Sequence, residues 1–154
     1  MCSAADILIA CNAAEEIRMA LMTFDKSYSV GIPFVDDQHA DLFDALNELH
    51  IALLKRKTNA IVGSLVQDLL AYTRSLFAAE EAMLAKARYP GLGEHQIQHR
   101  KLTTQVAEYA ERYKRGEAAL SLPLINFLRD WLTGHILRED RAYSAWLSQA
   151  GPRL

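Results

Sequence analysis

Helix-breaking residues set the frame for this chain. Its 154 residues include only seven glycines and four prolines, and most fall at Gly31-Ile32-Pro33, Pro90-Gly91-Leu92-Gly93, Gly116 to Pro123 and Gly151-Pro152. Long stretches without such breaks read as helices. No run has the strict alternation of a central strand. The length suffices for one domain around one core.

Apolar residues between the breaks recur at three- and four-residue spacing, the mark of an amphipathic helix. Helix A is expected from Asp36-Asp37, either of which suits an N-cap, with Leu42, Phe43, Leu46, Leu49, Leu53 and Leu54 inward. Helix B spans about Asn59 to Ala87, with Ile61, Leu65, Leu69, Tyr72, Leu76 and Met83 inward and Val62, Val66 and Leu84 widening the stripe. Helix C spans about Glu94 to Lys114. Helix D opens at Ser121, carries Pro123 in its first turn, and runs through Trp146 to about Gln149, with Leu124, Phe127, Leu128, Trp131 and Leu132 inward. Four such helices on short links imply an all-α, up-down-up-down four-helix bundle over residues 23–150. Ahead of it, Phe24, Tyr28, Val30, Ile32 and Phe34 alternate through a segment where Gly31 and Pro33 forbid a regular helix. That segment reads as an extended N-terminal arm.

Residues 1–22 read as a helical or disordered extension. The apolar stretch from Ala4 to Ala14 is too short and too polar to span a membrane and lacks the basic start of a secretory signal. Met19 and Met22 leave open a translation start further downstream. The net charge of -2 gives no reason to expect nucleic acid or a membrane as partner. Cys2 and Cys11 form no disulfide framework for the bundle, so a cytoplasmic location is expected.

The unusual feature is the placement of polar residues on inward faces. His39 shares the inner face of helix A with Phe43 and Leu46. His95 and His99, four apart, share one face of helix C. Glu80 follows Leu76 by four in helix B, where an ionised and unpaired carboxylate would cost several kcal/mol. His135 lies on the inner face of helix D, followed by Glu139 and Asp140. His50, near the end of helix A, reads as structural or solvated. Glu81 reads as solvated. Gly134 either makes room for a neighbour or is simply tolerated, at a cost of roughly 1 kcal/mol relative to alanine. Buried polar groups need partners, and one metal centre satisfies all of these together. Imidazoles and carboxylates without thiolates favour iron or manganese over structural zinc.

Several segments together carry a family resemblance: Ser29-Val30-Gly31-Ile32, Asp36-Asp37-Gln38-His39, Phe77-Ala78-Ala79-Glu80-Glu81, His95-Gln96-Ile97-Gln98-His99, and Trp131-Leu132-Thr133-Gly134-His135-Ile136-Leu137-Arg138-Glu139-Asp140. From about Phe24 to Trp146 the chain resembles the bacterial hemerythrin-like family. The resemblance implies a four-helix bundle with a non-haem di-iron centre that binds dioxygen. It implies His95, His99 and His135 on one iron, Glu80 and Asp140 as bridges, and His39 on the second iron. It also implies that Phe77, Trp131 and Ile136, with Leu76, wall an oxygen pocket.

Two positions depart from simple expectation. The family normally has a histidine just ahead of Phe77, where this chain has Leu76, and leucine cannot ligate. The site is then expected to hold two irons with an open position on the second, or a single iron, or a second iron repaired by Tyr72, one turn before Leu76. A deliberate replacement at this position would read the same. Ideal helix geometry also prefers Glu139, four after His135, to Asp140. The resemblance favours Asp140, which needs a local distortion. The expected function is oxygen carriage, storage, delivery or sensing. The alternatives are a peroxide- or nitric-oxide-consuming iron enzyme and a metal- or redox-sensing module.

Overall fold

The computed structural model describes residues 14, 15 and 18–150. Helix α1 covers Pro33–Leu54, α2 Asn59–Lys86, α3 Leu92–Lys114 and α4 Leu122–His135. A π-helical turn, Ile136–Asp140, joins α4 to α5, Arg141–Ala150. Among the described residues there is no strand, and the helices form the expected up-down-up-down bundle, with α1 packed on both α2 and α4 and α3 packed on α2. None of these helices is long and apolar enough to cross a membrane.

Helix ends differ from expectation for local reasons. The first helix begins at Pro33, three residues early, because proline suits a first helical turn. Asp36 is therefore inside the helix and not its cap. Its carboxylate accepts from the Ser29 hydroxyl at 2.6 Å and the Val30 amide at 2.8 Å, fastening the arm. Thr58 caps α2 by accepting from the Ile61 amide at 3.5 Å. Ser121 occupies the N-cap of α4 without a side-chain bond. The third helix ends with Gly116 at φ 73°, where the Gly116 and Glu117 amides donate to the Tyr113 and Arg112 carbonyls at 3.0 and 2.9 Å. Such bonds satisfy carbonyls that a helix end leaves open. Gly91 has a different reason: a Cβ there would lie 2.7 Å from the Tyr89 ring.

Away from the polar level the core is apolar. It contains Leu42, Phe43, Leu46 and Leu49 of α1, Val62, Val66, Leu69 and Leu76 of α2, Leu102 of α3, and Ile125, Leu128 and Leu132 of α4. Ile61 and Phe127, expected inside, are 46% and 43% exposed. The inward rows instead run through Val62 and Val66, and through Ile125 and Leu128. Phe34, expected to pack as part of the arm, lies on α1 and is 51% exposed.

The arm lies against α1. Phe24 and Tyr28 meet Phe43 edge-on, with ring centroids 5.5 and 5.0 Å away. Asn47 accepts from the Leu21 and Met22 amides and donates to the Met22 carbonyl. His50 is structural, its Nδ1 donating to the Met19 carbonyl at 3.0 Å. The expected extension thus has its last residues docked on α1, while Cys2, Cys11 and residues 1–13 lie outside the described residues. Arg141 and Ser144 of α5 donate to the carbonyls of Ser27 and Val30, which ties the far end of the chain to the same arm.

Phe43 is fully buried between the arm and the core. Phe43→Ala should cost roughly 3–5 kcal/mol, read as a lower urea midpoint, and should expose the arm to protease cleavage before the bundle.

Candidate metal centre

Each helix delivers polar side chains to one level of the bundle. His39 comes from the first turns of α1, Glu80 from α2, His95 and His99 from α3, and His135 from the end of α4. Asp140 comes from the π turn. All six are between 1% and 4% exposed.

The π turn decides which acid joins them. On an ideal α-helix Asp140, five residues after His135, would be turned well away. A π turn spaces its hydrogen bonds five residues apart, so positions five apart approach one face. Asp140 is consequently buried at 1% exposure, while Glu139 is only half-buried. His135 Nε2 lies 3.1 Å from Asp140 Oδ1. Gly134 has no Cβ, and the space is taken by the Arg138 guanidinium, 2.9 Å from where a Cβ would be.

The donor atoms converge in two overlapping groups, Glu80 with His95, His99 and His135, and His39 with Glu80 and Asp140. Within each group the potential ligand atoms lie within 4.8 Å of one another. Glu80 Oε2 is 3.2 Å from both His95 Nε2 and His99 Nε2. Asp140 Oδ2 is 3.3 Å from His39 Nε2, and Asp140 Oδ1 is 3.5 Å from His95 Nε2.

These residues fit a cation better than they fit one another. Neither oxygen of Asp140 receives a hydrogen bond, and the Nδ1 of His39 is also unpartnered. His99 donates from Nδ1 to Glu81 Oε1 at 2.8 Å. His135 does the same to Gln98 Oε1 at 3.1 Å. With the proton on Nδ1, each neutral ring presents a lone pair at Nε2. Those two Nε2 atoms face each other at 3.1 Å, a repulsive contact that a cation between them converts into two bonds. Such outer partners fix the tautomer and orientation of metal-binding histidines.

The electrostatics agree. Burial works to raise the Glu80 carboxyl, but its close contacts with the His95 and His99 rings and the hydrogen bond from Tyr143 outweigh it and hold the group well below the usual carboxylate range. Burial works to lower His95, and the Glu80 and Asp140 charges outweigh it and raise the ring. Glu80 is thus ionised at neutral pH, in a box whose protons a metal would displace.

Apolar and aromatic groups cover the histidines. Phe77 stacks on His99 with centroids 3.6 Å apart and planes 2° apart. Trp131 stacks on His135 at 4.6 Å, and the Phe77 and Trp131 rings are 6.0 Å apart. Leu76 and Ile136 are buried at 1% and 0% exposure.

Two residues differ from their expected roles, and a third was not foreseen. Glu81 is not solvated, because it bonds His99 and Gln96 across the α2–α3 interface. The Tyr72 hydroxyl is engaged elsewhere, 3.2 Å from both the Gln38 carbonyl and Asp41 Oδ2. Helical side chains lean toward the N-terminus, which carries a phenol at 72 away from Glu80. Burial and the Asp41 charge also push it up to about 12, unfavourable for a phenolate. Tyr143, unremarked in the sequence, is fully buried and donates to Glu80 Oε1. Its spacing of three from Asp140 places it on the same face, a signal that became readable only once Asp140 was known to point inward.

A helical bundle whose four helices enclose a buried box of imidazoles and carboxylates defines a class, the bundle metalloproteins. Similarity to known proteins narrows it. Residues 30–147 match the hemerythrin HHE cation binding domain, and the chain belongs to the hemerythrin family. It is 36% identical over 126 residues to a bacteriohemerythrin of Stenotrophomonas maltophilia, covering 82% of this chain and 81% of that protein. It is 33% identical to a bacteriohemerythrin of Methylococcus capsulatus, covering 84% and 99%. A myohemerythrin of Riftia pachyptila is 32% identical over 122 residues, covering 76% of this chain and 96% of that one. A crystal structure of wild-type hemerythrin superposes with a TM-score of 0.78 at 31% identity, covering 82% of this chain and 97% of that one.

The acid assignment is testable. Asp140→Ala should strongly reduce bound iron and Glu139→Ala should leave it near the parent level, measured by elemental analysis. The reverse pattern would assign the role to Glu139.

Proposed function

We propose that this protein is a non-haem di-iron oxygen-binding protein in which Glu80 and Asp140 would supply the carboxylates that hold the iron pair. His95, His99 and His135 would hold one iron, and His39 would be the single imidazole offered to the other. The carrying observation is the pair of buried Asp140 oxygens without a hydrogen-bond donor, set between His39 on one side and His95 with His135 on the other. When bound, the iron pair supplies the electrons and the open coordination position that dioxygen requires. The chain's own residues do the rest. Glu81 and Gln98 hold the His99 and His135 rings in the tautomer that leaves Nε2 free. Phe77, Trp131, Leu76 and Ile136 form an apolar wall that keeps water from the site and admits a small apolar gas.

Leu76 supports a modified second position. It is buried in the core cluster, four residues before Glu80, at the position where the family resemblance implies a histidine. Its isobutyl group offers no lone pair, so the group on the His39 side contains one imidazole against three on the other. The site is thus unequal by construction, and dioxygen or a similarly small ligand is the expected guest. The absence of a membrane-spanning helix among the described residues and the cysteine usage support a cytoplasmic location.

Two measurements check this reading. Iron-loaded protein should change its visible spectrum on exposure to oxygen and revert under argon. A spectrum indifferent to oxygen would remove the binding function. Glu81→Gln, which weakens the acceptor behind His99, should speed the loss of iron to a chelator by roughly 10–100-fold.

A further inference from the structure

Next to the metal level the bundle axis is not solidly filled. A cavity of about 30 Å³ is lined by two residues from each of the four helices. Leu42 follows His39 by three on α1, and Leu102 follows His99 by three on α3. Thr73 precedes Leu76 by three on α2, and Leu132 precedes His135 by three on α4. Three residues are about one helical turn, and α1 and α3 run away from the metal level while α2 and α4 run toward it. The four residues therefore meet one turn below the imidazoles, and all four are buried.

A second cavity of about 30 Å³ adjoins the first. Leu69, Val106 and Leu128 line both and form the wall between them. The two differ in polarity. Thr73 is the one polar residue lining the inner cavity, and its hydroxyl donates to the Leu69 carbonyl at 2.7 Å. Roughly 10–15 Å³ is room enough for a water, but a water also needs about two to four polar partners. The inner cavity does not offer them, so it stays dry. The outer cavity is lined by Gln105 and Tyr109 as well. The Tyr109 hydroxyl is buried without a hydrogen-bond partner among the described residues. Burial pushes this phenol up to about 12, so at neutral pH it is a neutral donor. Phe127, 43% exposed, also lines the outer cavity and brings it to the surface between α3 and α4.

We propose that the inner cavity is a second gas site, which holds dioxygen non-covalently one helical turn from the metal level and independently of iron. An uncharged diatomic needs no hydrogen-bond partner, and its transfer from water to apolar surroundings is favourable. The side chains around an empty void lack contact atoms on one side, and a guest supplies them. The outer cavity is the entrance. Tyr109 donates to a water there, which satisfies the phenol at the mouth and leaves the apolar chamber behind it free for gas. This inference goes beyond the oxygen-binding reading above, because it gives the chain a store of gas whose occupancy does not require iron.

Xenon is the probe, being apolar, small and visible by anomalous scattering. Crystals of the full iron-loaded chain under xenon pressure should show a peak bounded by Leu46, Leu69, Val106 and Leu128. Adding oxygen pressure should lower the xenon occupancy, because the two gases compete for one chamber. Val106→Phe places a ring in the space and should abolish the peak. Leu128→Ala removes bulk from the wall and should strengthen it. Neither residue touches the metal box, so iron content in both variants should match the parent and serves as the control for folding. No xenon in the parent's inner cavity, or an ordered water in its place, would overturn the site. So would a xenon occupancy indifferent to oxygen, or a peak that persists unchanged in Val106→Phe. Xenon bound here in a protein that takes up no iron would uphold the gas site and remove the di-iron reading.

Discussion

Two carboxylates and four imidazoles, all but inaccessible to water, share one level of this bundle, and their mutual contacts do not satisfy them. Asp140 accepts no hydrogen bond, and the Nε2 lone pairs of His99 and His135 point at each other. Burying an ionised carboxylate without compensation costs several kcal/mol. The distal core, with Phe43, Leu46, Leu49, Ile125 and Leu128 buried, supplies the hydrophobic stabilisation that lets the near end hold such a set. Cations bound between the carboxylates and imidazoles remove the penalty. Metal binding and the stability of this end of the bundle are then one equilibrium.

The π turn is the local device that makes the set complete. Without it, α4 would continue straight, Asp140 would face outward, and neither Tyr143 nor α5 would occupy its present place. With it, one insertion in helical phase delivers a carboxylate, a phenol and the two contacts from Arg141 and Ser144 that pin α5 to the arm. The arm is in turn fixed to α1 by Asp36, three residues before His39. The first and last segments of the bundle thus meet beside the site they complete.

Much of this was legible from residue order. Three- and four-residue apolar spacing located all four helices, because that spacing has no other stable use over such lengths. The inward placement of His39, Glu80, His95, His99 and His135 followed from the same periodicity. What spacing alone could not settle lay across interfaces or outside ideal geometry. Periodicity favoured Glu139 over Asp140, because a π turn leaves no simple pattern in residue type. Glu81 looked solvated, because its partner His99 is on another helix and no one-helix pattern reports that distance. Ile61 and Phe127 looked inward, because neighbouring rows one residue away were equally apolar. Tyr72 looked able to replace a ligand, because spacing along a helix ignores the direction in which a side chain leans.

On the proposed reading, Leu76 gives the site its individuality. The chain is 33–36% identical to two bacteriohemerythrins, and the buried hydrocarbon of Leu76 stands four residues before Glu80. The central claim is that the remaining donors still hold two irons, unequally, about Glu80 and Asp140. Diffraction from crystals of iron-loaded protein, with anomalous maps collected on both sides of the iron edge, tests it most directly. The account predicts two anomalous peaks sharing the Glu80 and Asp140 carboxylates, one beside His95, His99 and His135 and the other beside His39. A single peak among the three histidines, or none in fully loaded crystals, would contradict it.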